Sequence, residues 1–361
     1  MVIDSIDLKD FRNYREMSVS LSPGINIFYG DNAQGKTNLL EAVYVGCTSK
    51  SHRSSKDREL IRFSSDESHI KIRLLKKDVP YRIDIHIKKN RSKGIALNGL
   101  PLRRASELFG IANVIFFSPE DLSIIKNGPG ERRRFLDMEL CQLDRLYTFD
   151  LISYNRVMDQ KNRLLKSFET GDELNGMLDI YNEKLVEHGT KLINKRRKFI
   201  EDINNIISDI HSNITSGKEK LLISYEGDVD PEGFMKELEK NREREIRQRT
   251  CLTGPHRDDM CFCINDLDIR HFGSQGQQRT AALSLKLSEI RIVEAITGEM
   301  PVLLLDDVLS ELDRKRQTML LDSIGNIQTL ITCTGLDDFI DNRFHMDKIF
   351  NVTDGRITGE N

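Results

Sequence analysis

The stretch Gly30-Asp31-Asn32-Ala33-Gln34-Gly35-Lys36-Thr37-Asn38 constrains this chain more than any other. It fits G-x-x-x-x-G-K-[ST], the pattern of a phosphate-binding loop, and its surroundings fit as well. Ile25, Ile27 and Phe28 before it form a short apolar run of strand length. Leu39, Leu40, Ala42 and Val43 after it begin a helix. Glycines let the backbone wrap a phosphate closely. The unpaired N–H groups at the helix start point at the anion, and the helix dipole favours its charge. In that arrangement Lys36 reaches the β- and γ-phosphates and the Thr37 hydroxyl holds Mg²⁺. A chance match in a turn would lack both flanking elements.

A second chemical region stands far down the chain. Pro301-Val302-Leu303-Leu304-Leu305-Asp306-Asp307 reads as a fully apolar strand ending in two acids. A strand covered on both faces delivers its carboxylates at its C-terminal end. Asp306 is the candidate Mg²⁺ ligand beside Thr37. Asp307 is placed to orient or deprotonate an attacking water, so Asp307 and Lys36 are the candidate catalytic pair. One helix earlier, Phe272-Gly273-Ser274-Gln275-Gly276-Gln277-Gln278-Arg279 opens a segment with Leu283, Leu287, Ile290 and Val293 on one face. Its Ser and Gly at a helix start can offer N–H groups to a phosphate.

Between these regions the hydrophobic period changes twice. Alternation dominates from His69 to Leu102 and predicts an antiparallel meander with a polar face, with a hairpin at Asn98-Gly99. His69 reads as a strand surface residue. From about Phe135 to Ile214 the period is helical, which predicts two or three long antiparallel helices, an arm. No heptad is sustained, so a long coiled coil is not expected. Three arginines, Arg132 to Arg134, follow a Gly-Pro-Gly turn, and at least one is expected to face a partner or a phosphate. The run Lys195-Arg196-Arg197-Lys198 fits a solvated patch or a DNA contact equally well. Glu226 to Gly233 reads as a linker.

Composition narrows the class. The 361 residues are 31% charged and 38% hydrophobic, with a net charge of -3. No apolar run approaches the ~20 residues that span a bilayer. The N-terminus does not read as a signal peptide, and six cysteines without a C-x-x-C pair suit a reducing cytoplasm. Cys261 and Cys263 read as strand alternation. Between Glu41 and Gly110, sixteen Lys/Arg face eight Asp/Glu, so a basic segment sits in a mildly acidic chain. That asymmetry points to a polyanion surface.

A phosphate loop and an Asp306 strand separated by a helical arm resemble the layout of ABC/SMC ATPases. The stretch Ser274 to Gln277 stands where their signature motif completes the pocket of a second subunit. The whole chain resembles, more closely, the RecF family of bacterial recombination mediators. Leu8-Lys9-Asp10-Phe11-Arg12-Asn13-Tyr14, GDNAQGKTNLLEA, PEDLSIIKNGPGERRRFLD, TGPHRDD, FGSQGQQRT and LLLDDVLSELD carry that resemblance in order, with Asn127 where Gly is usual. It implies an α/β fold: an ABC/SMC-type P-loop head from residues 1–120 and 250–361, with an inserted α-helical arm domain at 121–249. It implies ATP and Mg²⁺ as cofactors, Arg12 and Asn13 beside the nucleotide, and an ATP-dependent homodimer with Ser274, Gln275, Gly276 and Gln277 acting in trans. It implies binding to double- and single-stranded DNA at gap junctions. With RecO and RecR as partners, RecA is loaded on SSB-coated strands, serving gap repair, replication restart and the SOS response.

The same resemblance implies a weak, DNA-stimulated ATPase that works as a dimerisation switch. Asp307 is one methylene shorter than the Glu usual there, and Thr332-Cys333-Thr334 holds no switch His. Lys50, Arg53, Lys56 and Arg58 are the candidate DNA contacts. A transporter ATPase, a long-armed DNA-bridging protein and a metal nuclease are the competing readings. The first would need a membrane partner, the second a long heptad arm. The third would need a His/Asp cluster beyond the single GPHRDD stretch, whose His256 reads as structural or dimer-facing.

Overall fold

The computed structural model describes residues 1–54, 56–167, 172–325, 327–336 and 345–360. Two compact units emerge, Met1–Asp121 with Glu289–Asn361, and Leu122–Ser288.

The first unit holds two six-stranded sheets. In one, β1 (Val2–Phe11), β2 (Tyr14–Ser20), β4 (Glu67–Lys76), β5 (Val79–Lys88), β6 (Arg91–Leu97) and β7 (Leu100–Pro101) run in the order β2-β1-β4-β5-β6-β7. Every neighbouring pair is antiparallel. Ile70, Ile72 and Leu74 of β4 and Ile83, Ile85 and Ile87 of β5 are buried, the alternation expected of a half-covered sheet. Ile3 and Ile6 break strict alternation yet share the core, because β1 shifts register between Ile3 and Ser5. Asn98 and Gly99 both take positive φ at the β6–β7 turn, as a two-residue hairpin needs.

The other sheet runs β15 (Arg356–Glu360), β14 (Lys348–Thr353), β3 (Ile25–Tyr29), β13 (Thr329–Cys333), β12 (Val302–Asp306) and β8 (Val114–Phe117). All but β15 are parallel to their neighbours. Strands buried on both faces read as continuous apolar runs, and β8, β12 and β13 are buried at every position. Helix α1 (Lys36–Thr48) touches strands of both sheets and is buried on nearly every side, which is why it is apolar all round. Gly46 permits the close approach: a Cβ there would fall 2.1 Å from the Ile72 side chain. Helix α8 (Arg314–Ser323) is capped by the Asp313 carboxylate, which accepts from the Arg316 N–H.

The second unit contains α2 (Leu122–Lys126), α3 (Pro129–Leu143), α4 (Arg145–Ser167), α5 (Asp172–Thr215), α6 (Phe234–Gln248) and the start of α7 (Gln275–Thr297). With them is a small sheet, in the order β11 (Leu267–Asp268), β10 (Asp259–Ile264), β9 (Leu221–Glu226). Helices α4 and α5 run antiparallel, zipped by His188–Asp150 and a Lys195–Asp144 pair. The 44 residues of α5 span about 66 Å at 1.5 Å per residue. Residues 250–288, placed with the head on sequence, cluster by contact with the helical unit, because β10 pairs along its length with β9.

The two basic runs divide into buried and exposed arginines, and of the three after the Gly-Pro-Gly turn Arg134 is the exposed one. Arg132 is buried and forms a two-toothed ion pair with Asp259 (2.5 and 2.9 Å), and Arg133 donates to the Asp258 carbonyl at 2.7 Å. In the run Lys195–Lys198 one residue departs from both readings, Arg196, while Arg197 and Lys198 remain solvated. Arg196 is buried among Tyr147, Asp137, Asp258 and the Pro255 carbonyl, while Lys195, Arg197 and Lys198 pair with Asp144, Asp230 and Asp202. Arg132 and Arg196 are buried for one reason: their acidic partners, Asp259 for the first and Asp137 with Asp258 for the second, lie far off in sequence. His256 belongs to the same cluster, with its Nδ1 2.7 Å from the Tyr154 hydroxyl; burial pushes its pKa down to about 4.

Candidate nucleotide site

Strand order β3-β13-β12 brings three carboxyl ends side by side in the first unit, and the site is built there. The loop leaving β3 turns back through left-handed backbone at Gly30 (φ 151°), Ala33 (φ 65°) and Gly35 (φ 114°). At Gly30 a side chain is impossible: a Cβ would meet the Val352 carbonyl oxygen at 2.4 Å. Asn13 donates to the Gln34 carbonyl and accepts from Asn38, both at 2.9 Å, and the Tyr14 hydroxyl donates to the Gly35 carbonyl. The Asp354 N–H donates to the Gln34 side-chain oxygen and the Gly355 N–H to the Gln34 carbonyl that Asn13 also bonds. The loop is therefore held in shape from outside, with Asp31, Asn32 and Ala33 exposed at its crest.

Inside the loop, the Lys36 ammonium donates to the Gly30 and Asp31 carbonyls at 2.5 and 2.7 Å. These are backbone acceptors, and no carboxylate pairs with it among the described residues. Thr37 donates to Asp306 Oδ1 at 2.9 Å, and Thr332 donates to the same oxygen at 2.7 Å. Burial raises the Asp306 pKa; the hydrogen bonds from Thr332 and Thr37 and the Arg53 charge pull the other way, and the neighbouring Asp307 adds to the rise. A buried, oxygen-rich and under-neutralised carboxylate touching a threonine hydroxyl fits a hard divalent cation such as Mg²⁺. Asp307 itself sits at φ 53°, an uncommon conformation for a side-chain-bearing residue, with its N–H held by the Thr332 hydroxyl at 3.0 Å.

The structure thus gathers Gly30 to Asn38, Asn13, Asp306 and Asp307, and brings the Arg53 charge within reach of Asp306. Arg12, next to Asn13 in sequence, braces the helix that follows the loop. The Arg12 guanidinium forks onto Glu41 (both contacts 2.8 Å), and also donates to Ser54 Oγ and the Glu59 carbonyl. Glu41 is fully buried. Desolvation pushes its pKa up, but hydrogen bonds from Arg12 and Ser51 with the Arg12 charge outweigh that and leave it low. Arg12, Glu41 and Ser51 therefore tie α1 to the basic loop that carries the exposed Lys50, Arg53, Lys56 and Arg58.

Sequence reasoning missed Thr332 in the pocket and Glu41 in the brace behind it. A threonine inside an otherwise apolar parallel strand was the available signal for the first. An acid amid the apolar α1 run was the signal for the second.

In the second unit, Ser274 and Gln277 form a reciprocal cap at the start of α7. Ser274 N–H donates to the Gln277 side-chain oxygen at 2.9 Å, and Gln277 N–H to Ser274 Oγ at 3.2 Å. Ser274, Gln275 and Gly276 are exposed, leaving the helix start open to an incoming anion. Among the described residues no helix is long and apolar enough to cross a membrane.

The family model for the RecF/RecN/SMC N terminal domain matches residues 2–358. The chain is 56% identical to the DNA replication and repair protein RecF of Lachnospira eligens, with all of both chains covered. It is 54% identical to that of Lachnoclostridium phytofermentans over 99% of each. A solved structure of the recombination mediator protein RecF with ATP, in the RecFOR pathway, superposes with TM-score 0.92 at 36% identity, covering 99% of this chain and 97% of that one. The Smc head bound to the C-winged helix domain of ScpA shares the fold alone, with TM-score 0.57 at 17% identity over 100% and 98% of the two chains. The chain belongs to the RecF family, and its fold is an ABC/SMC-type head with a helical arm.

Proposed function

We propose that this RecF-family chain is an ATP-dependent DNA-binding protein of recombinational repair, working with RecO and RecR in the cytoplasm. It recognises gapped DNA where single and double strands meet and promotes RecA loading, which serves replication restart and SOS induction. The observation that carries the reading is the Thr37–Asp306 contact beneath the Lys36 loop. Lys36 would exchange its carbonyl acceptors for phosphate oxygens, which are charged and bind it more strongly. Thr37 and Asp306 would hold Mg²⁺, which shields phosphate charge when bound. Asn13 keeps the loop in shape. Asp307 would orient water, and its short side chain supports slow turnover. Ser274, Gln275, Gly276 and Gln277 of a second copy would close the pocket, so nucleotide binding drives homodimerisation and hydrolysis releases it. Residues 1–120 and 250–361 act as the ATPase head and 121–249 as the arm.

Lys50, Arg53, Lys56 and Arg58 would contact DNA phosphates. The test is fluorescence anisotropy on gapped and plain duplexes, with and without ATP, across a salt series. Lys50→Ala/Lys56→Ala should weaken binding and flatten the salt slope by about 2. Arg53→Ala/Lys56→Ala should do the same and also weaken ATP binding, because the Arg53 charge acts on Asp306. An unchanged slope in the first pair removes the DNA assignment.

A further inference from the structure

Outside the nucleotide site, one cluster on the solvent face of the antiparallel sheet has the chemistry of a ligand set. Glu67 and His69 lie two residues apart on β4, so both side chains leave the same face. His86 on β5 stands directly opposite His69 in the pairing register, and Lys88 directly opposite Glu67. The two imidazoles stack with centroids 4.0 Å apart. The Glu67 carboxylate lies against both, 3.0 Å from His86 Nε2 and 3.6 Å from His69 Nε2. The nitrogen and oxygen donors of all three residues lie within 4.8 Å of one another.

We propose that Glu67, His69 and His86 form a binding site for one divalent transition ion of the zinc class. Two imidazoles and a carboxylate suit zinc, cobalt or nickel and do not suit Mg²⁺, which prefers an all-oxygen shell. Zinc–nitrogen bonds of about 2.0–2.1 Å set tetrahedral donors roughly 3.3 Å apart, so the three side chains close by about an ångström of rotation. Their partial exposure allows that rotation. Other charges face the cluster. Lys88 Nζ lies 3.4 Å from Glu67, the Lys9 charge acts on His69, and Lys71 and Asp84 line the adjoining groove. The ion replaces Lys88 as the partner of Glu67. Bound there, it staples β4 to β5 within the basic segment.

The test uses the full chain with Co²⁺ and Zn²⁺ as probes, read by cobalt absorption, competition with a chromophoric chelator, and melting temperature. One equivalent is expected to bind without a thiolate-to-cobalt charge-transfer band and to raise the melting temperature by linkage. His69→Ala, His86→Ala and Glu67→Gln should each weaken binding about tenfold or more and abolish the shift. Lys88→Ala should bind at least as tightly as the parent. Cys263→Ser should change nothing; it is the control for the Cys261–Cys263 pair, whose sulfurs are 3.5 Å apart. Retained binding in the histidine variants, a thiolate band, or no saturable binding would each overturn the assignment.

Discussion

Two regions of this molecule gather charged side chains out of water, and they complete them differently. In the second unit Arg196 is enclosed by donors' natural partners: Asp137, Asp258, the Tyr147 hydroxyl and a carbonyl. Tyr225 and the Asp228 N–H take up what remains of Asp258. In the nucleotide pocket Lys36 holds loop carbonyls and no carboxylate among the described residues, Asp306 is buried with two hydroxyls, and Asp307 sits in left-handed backbone. The first arrangement is closed by the chain itself. The second is left open, a layout that the proposed triphosphate and divalent cation would complete. Charge that is fully answered inside a fold stabilises it. Charge that is left half-answered in a rigid frame is available for a ligand.

That contrast can be broken most sharply at Arg196. Arg196→Met leaves Asp137 and Asp258 without their shared cation, and should cost about 4 kcal/mol of stability. Chemical denaturation reads it, and ATP affinity measured below the melting point should be unchanged. Lys36→Ala should do the reverse. ATP affinity should fall by about 3 kcal/mol, the scale of removing one partner from a buried charge pair, while the nucleotide-free melting temperature barely moves. Equal damage to both properties in either variant would erase the distinction between the two regions.

Thr332 lies between these extremes, since it serves the pocket yet is answered by the chain. Thr332→Val removes the donor to Asp306 and the acceptor for the Asp307 N–H, at a cost of about 2 kcal/mol in stability. Hydrolysis should slow as Asp307 loses its support, while ATP affinity changes less than in Lys36→Ala. At His256 the expected effect depends on pH and vanishes in the difference between variants compared at strongly acid pH. Its folded pKa, about 4, is below the ordinary value near 6.5, so the unfolded chain takes up the proton first. The stability it confers is present above about pH 6.5 and is lost as pH falls toward 4. His256→Gln should flatten that acid slope in denaturation curves followed by circular dichroism. A slope identical to the parent's would show that His256 does not carry it.

Local patterns that name a backbone shape were legible in the sequence. The phosphate loop, the apolar strand ending at Asp306, the Asn98-Gly99 hairpin and the helical period of the arm all read directly. Each is decided by near neighbours. Partners across the fold were not legible. Arg132 and Arg196 look like exposed cations until Asp258 and Asp259 arrive from the GPHRDD stretch. The clasp of Arg12 on Glu41, which ties α1 to the basic loop, was equally invisible. The Ile3-to-Ile6 spacing made sense only with the register shift in β1. The site's frame was thus readable, and the contacts that brace it, Thr332 above all, were not.

The account stands or falls on whether filled pockets join two copies of this chain. Sedimentation velocity of the purified protein, with and without saturating ATP and Mg²⁺, measures that directly, with Lys36→Arg as the control. The account predicts a dimer with ATP, a monomer without it, and a monomer for Lys36→Arg in both. Monomers throughout, while equilibrium dialysis shows ATP bound, would contradict it.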